Sequence, residues 1–99
     1  MFFAGRIFGN YYLTDRAEVC ADEDRIEDED DCKSAVNKIP NLDYGQETRT
    51  NWKPRGCYIK DFSKYVNFNR HELGRPTEDT KAICRLQGTI IILRVISRR

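Results

Sequence analysis

The stretch WKPRGCYIKDFSKYVNFN, residues 52–69, decides how this chain is read. Cys57–Lys60 and Tyr65–Asn69 have the character of two strands flanking a DFSK turn. In the second, Val66 and Phe68 alternate with Tyr65, Asn67 and Asn69, as on a half-buried strand. Upstream, Cys32, Ala35, Val36 and Ile39 fall at i, i+3, i+4 and i+7, which draws one apolar stripe on a helix. Asp28 to Asp31 just before that stripe complement the positive end of a helix dipole, and Pro40 ends the element. A helix is therefore expected over 28–39, with Cys32 on its buried face. Downstream, Ala82, Cys84 and Leu86 alternate with Ile83 and Arg85, suggesting a third strand that returns to the sheet. The fold class these signals specify is α+β: one helix packed on a small antiparallel β-sheet and stapled by two disulfides.

Staples are expected because the core is thin. The chain has 99 residues, 39% hydrophobic against 33% charged, enough for one domain that buries roughly 60–70% of its unfolded surface. Five Phe, five Tyr and one Trp keep it out of the disordered range. Cys20, Cys32, Cys57 and Cys84 form an even, widely spaced set, the pattern of two disulfides. Structural zinc prefers close pairs such as C-x2-C, whereas the gaps here are 11, 24 and 26 residues, so neither metal nor cofactor is expected. A Cys32–Cys57 bond would staple helix to hairpin and leave Cys20 to reach Cys84. The pairings 20–32 with 57–84 and 20–57 with 32–84 remain open at this level. Closures of this size contribute roughly 3–4 kcal/mol each.

Outside this core the chain divides into an apolar N-terminal arm (1–17), the stapled domain (18–87) and a β-prone tail (88–99). The arm, rich in Phe and Tyr, is punctuated by Gly5 and Gly9, so short strands suit it better than a helix. Its opening residues carry Arg6 and lack the uninterrupted apolar stretch of a signal peptide, and no N-x-[ST] sequon occurs. The tail, GTIIILRVISRR, favours an extended strand that needs a partner; its apolar run is too short to span a membrane. Residues 41–55 read as a polar loop.

Net charge is only +1, yet residues 1–48 hold 5 basic and 12 acidic side chains, and residues 49–99 hold 12 basic and 4 acidic. The two halves are expected to fold against each other and partly neutralise. Scattered cations argue against nucleic acid as a partner. The run DEDRIEDEDD, residues 22–31, has eight acids in ten positions. It lacks the glycine and distant glutamate of a calcium loop, and its end is better used as a helix start.

Little here suggests catalysis. His71 is the only histidine; beside Glu72 it could serve as a base, but a lone loop histidine is more often structural. No serine lies in a G-x-S-x-G elbow, no phosphate loop occurs, and paired cysteines are not nucleophiles. Aromatic side chains are the remaining candidates for a binding surface: Tyr11, Tyr12, Tyr44, Trp52 and Tyr58. Trp52 and Tyr58 are expected mainly in the core, the other three nearer the surface.

The run W-x-P-x-G-C-Y (Trp52 to Tyr58), followed by V-x-F-N (Val66 to Asn69), resembles a motif of small cysteine-rich domains. Such domains occur in secreted or surface proteins of algae, other protists and marine invertebrates. Their preceding C-x-x-A helix and trailing I-C-[KR] are matched by Cys32–Ala35 and Ile83–Arg85. The arrangement is also loosely similar to apple/PAN modules, in which a helix is disulfide-bonded to a curved antiparallel sheet. The motif resemblance implies a stapled extracellular or lumenal module with no particular activity, and apple/PAN modules commonly bind proteins or carbohydrates. The function expected is a non-catalytic extracellular or lumenal module that binds a protein or glycan. The alternative is an accessory subunit of a larger assembly, docking on neighbours through residues 1–14 and 88–99, with no transmembrane span of its own.

Overall fold

The computed structural model describes residues 7–86, so the β-prone tail and the first six residues of the arm lie outside it. The chain forms, in order, β1 (Tyr11–Leu13), a 3-10 turn (Asp22–Asp24), α1 (Glu29–Lys38), β2 (Asp43–Thr48), β3 (Gly56–Lys60), β4 (Tyr65–Asn69) and β5 (Thr80–Arg85). The strands make one sheet in the order β1-β5-β3-β4-β2.

The hairpin forms as its alternation requires. Cys57 lies opposite Phe68 and Ile59 opposite Val66 in the antiparallel β3–β4 ladder. Their side chains face α1, which contributes Cys32, Ala35 and Val36, with Ile39 just past its end, to a shared core that also holds Tyr11, Ile26 and Ile83. Asp28 caps the helix: its side chain accepts from the Asp31 backbone N–H at 2.8 Å, and Glu29, Asp30 and Asp31 occupy the first turn. The expected range 28–39 is thus the helix plus its two caps.

The opposite face of the sheet is buried too. Tyr12, Ala82, Cys84 and Leu86 pack there with Cys20 as a second, smaller cluster. Cys32–Cys57 joins α1 to β3, and Cys20–Cys84 joins the segment after β1 to β5, so each apolar cluster contains one crosslink. No cysteine is free.

Three expectations need correction. The sheet is mixed rather than antiparallel, because β2 pairs in parallel with β4. Residues 43–48, read as loop, are that strand. Its side chains are largely exposed, so it carries no alternating apolar signal; backbone pairing and a bulge between Tyr44 and Glu47 define it. Asn67 Oδ1 accepts from the Gln46 N–H at 3.0 Å in this bulge, and a Cβ on Gly45 would lie 2.5 Å from that oxygen. Finally, residues 11–13 of the arm belong to the sheet. β1 pairs antiparallel with β5, and the Thr14 N–H extends the ladder to the Ala82 carbonyl at 2.9 Å.

Candidate interaction face

The five aromatic candidates separate sharply. Tyr11, Tyr12 and Tyr58 are buried, Tyr44 is half-buried, and Trp52 is 69% exposed. The expectation that Trp52 packs inside and that Tyr11 and Tyr12 face solvent is therefore reversed, while Tyr58 packs inside as expected.

The tyrosines go inward because the acidic run supplies their hydrogen-bond partners. Tyr11 donates to Asp31 Oδ1 at 2.6 Å, Tyr12 to Asp24 Oδ2 at 2.7 Å and Tyr44 to Glu29 Oε2 at 2.7 Å. A phenol can bury its ring only where its hydroxyl keeps a partner, and three acids within 22–31 provide one each. Arg85 shares Asp31 at 3.2 Å, and Lys33 lies 5.2 Å from the centre of the Tyr44 ring. Burial, reinforced by the bond to Asp31, pushes the Tyr11 hydroxyl up to about 12. Burial and the bond to Glu29 raise Tyr44 as well. Tyr58 has Thr48 Oγ1 at 3.5 Å.

Trp52 goes outward because its loop is held from within by Asn69, which is 1% exposed. Asn69 Nδ2 donates to the carbonyls of Thr50 (2.7 Å), Lys53 (3.0 Å) and Pro54 (3.0 Å). Its Oδ1 accepts from the N–H groups of Thr50 at 3.0 Å and His71 at 3.2 Å. One side chain thus fixes the loop after β2 to the loop after β4. The two are joined again where Arg70 N–H meets the Thr48 carbonyl (2.9 Å) and Arg75 N–H meets that of Lys53 (2.8 Å). Pro54 is fully buried, and Gly56 has φ +92° with no room for a Cβ, which would lie 2.9 Å from the Ile26 carbonyl. The W-x-P-x-G-C-Y and V-x-F-N residues thereby acquire a common physical purpose. Pro54, Gly56 and Asn69 build a fixed loop, and Trp52 is what it presents.

Residues 49–55 and 70–76 lie side by side. A cleft of about 150 Å³ between Ile26, Phe68, Arg55, Arg70, Glu27 and Glu72 adjoins a wider depression of about 450 Å³. The depression is lined by Arg49, Arg70, His71, Glu72 and Leu73. Arg70 stacks 5.4 Å from the centre of the Phe68 ring and pairs with Glu47 and Glu29. Arg55 pairs with Glu27 at 3.2 Å. His71 Nδ1 accepts from the Leu73 N–H at 3.0 Å, and Leu73 itself is 75% exposed. Asn69 was missed in the sequence because it reads as an outward strand-end residue; its place after V-x-F was the available signal. Among the described residues, no group of three or more His, Cys, Asp or Glu side chains is arranged to hold a metal ion.

Fold and face together define a small disulfide-stapled α+β domain that displays an exposed tryptophan on a hydrogen-bonded loop bearing Arg49 and Arg55. No family model, curated protein or solved structure matches this chain. Two disulfides are the chemistry of an oxidising compartment, and no helix among the described residues is long and apolar enough to cross a membrane.

Proposed function

We propose that this domain is a non-catalytic interaction module of an extracellular or lumenal protein, and that residues 49–55 and 70–76 are its binding face. One observation carries the proposal. A chain with a thin core leaves its single tryptophan 69% exposed, on a loop held by four hydrogen bonds to one buried asparagine. Folding alone would favour burying that indole, since a large ring contributes some 150–250 Å² of buried surface. An exposed tryptophan on a hydrogen-bonded loop that also carries Arg49 and Arg55 instead has the composition of a binding hot spot, and loop order in the free state lowers the entropic cost of association. The motif resemblance to secreted cysteine-rich domains points the same way.

For the role as an accessory subunit docking through residues 1–14 and 88–99, the described part of those segments gives less support, because Tyr11–Leu13 pairs inside the sheet. The test is to probe arrays of extracellular proteins and glycans with the oxidised domain and with its Trp52→Ala variant. Binding that vanishes in the variant, with thermal stability and both disulfides retained, is expected. Binding indifferent to Trp52 would remove the face from consideration.

A further inference from the structure

We infer, resting on that assignment of the face, that its ligand is an acidic segment of a partner protein. The segment is an extended peptide whose apolar side chain lies against Trp52 and Leu73 and whose carboxylates meet Arg49 and Arg75. Three observations converge on it.

The first is charge. The loops 49–55 and 70–76 carry Arg49, Lys53, Arg55, Arg70 and Arg75 against one carboxylate, Glu72. Three of these cations are engaged internally: Lys53 with Asp79 at 3.8 Å, Arg55 with Glu27 at 3.2 Å, and Arg70 with Glu47 and Glu29. Arg49 and Arg75 are exposed, and no carboxylate among the described residues closes an ion pair with either. A guanidinium is a planar, donor-only fork whose natural complement is a carboxylate held by two parallel hydrogen bonds.

The second is apolar surface. Trp52 and Leu73 are 69% and 75% exposed. Their loops run side by side, with Arg75 N–H on the Lys53 carbonyl at 2.8 Å and Gly74 close against the Lys53 and Arg55 backbone. A ligand that covers both must bring its own apolar group. The third is their combination. A sulfated glycan would use the guanidinia and the indole but leave Leu73 unused, whereas an acidic peptide with an aromatic or aliphatic residue uses all three. Charge then steers the encounter, and the apolar contact holds the complex.

The experiment is selection from a phage-displayed dodecapeptide library on the oxidised domain, followed by affinity measurement on synthetic copies of the recovered peptides. Recovered peptides should carry an aromatic or aliphatic residue flanked by Asp or Glu. Their affinity should fall about tenfold or more in Trp52→Ala and in the R49E/R75E double variant, and it should weaken with added salt. Unchanged melting temperature and intact disulfides in both variants secure the comparison. Neutral peptides that still require Trp52 overturn the ligand class while leaving the face in place. Peptides bound equally well by Trp52→Ala overturn both. Recovery of no peptide overturns the inference. So does retention on immobilised heparin beyond that on a plain sulfonate resin, if Trp52→Ala abolishes it, since that result assigns the face to a sulfated glycan.

Discussion

Tyr11 and Asn69 show how single side chains divide the surface from the core. Tyr11 keeps its proton because burial and Asp31 both disfavour the phenolate, which lifts its pKa from 10 to about 12. The linkage has a definite sign. In the unfolded chain the phenol ionises near 10, while in the folded domain it stays neutral to about 12. Its contribution is therefore complete below pH 10 and is lost as pH rises toward 12. Melting temperature should fall across that window in the wild type and less steeply in Tyr11→Phe. An equal fall in both would show that neither burial nor Asp31 raises the Tyr11 pKa in the folded domain. Asn69→Ala removes five hydrogen bonds to the backbone at once, and a cost of at least about 2 kcal/mol is expected from denaturant unfolding. Because Trp52 is the only tryptophan, its fluorescence reports its own loop. Emission should be that of a water-exposed indole in the wild type, with anisotropy dropping in folded Asn69→Ala. Trp52 and Asn69 exchange the places their residue types suggest, since neither composition nor alternation reveals which side chain a loop is folded around.

Among the elements, α1 was legible and β2 was not, for one physical reason. A helix of this kind writes its buried face into its sequence: Cys32, Ala35 and Val36 are the buried residues inside it, and Asp28 caps it where the acids begin. Replacing Asp28 by Ala should cost about 1 kcal/mol of unfolding free energy. No change at all would mean that the cap bond is absent in solution. β2 buries no side chain deeply. Its place comes from backbone pairing with β4 and from the Asn67 side chain that receives the Gln46 N–H. Such information resides in another strand and leaves no period in residues 43–48. The same holds for β1, whose three residues are too few to display alternation.

At the scale of the molecule, crosslinks and charge pairing join segments far apart in the chain. The acidic first half meets the basic second half through Glu27–Arg55, Glu29–Arg70, Asp31–Arg85 and Asp43–Lys64, so the segregated charge is partly spent inside the fold. Partly exposed pairs of this kind contribute at most about 1 kcal/mol each. The disulfides matter more. They close separations of 25 and 64 residues, for which loop entropy gives about 3.5 and 4 kcal/mol. A small domain has roughly 5–15 kcal/mol in total. The double variant Cys32→Ser/Cys57→Ser should therefore lose about 3–4 kcal/mol, and full reduction should abolish cooperative unfolding. Survival of a sharp transition in strong reductant would show that apolar packing alone suffices.

The choice among the three cysteine pairings came from the tertiary structure, whereas the amino-acid sequence by itself determined the α+β class, the helix and the central hairpin. Each of these rests on periodicity or on local chemistry within a few residues. Only the tertiary structure decided that the sheet is mixed, that the acidic run receives the tyrosine hydroxyls, and that Trp52 is held outside. Each of those depends on polar bonds between residues far apart in the chain, whose direction and partner no local pattern encodes.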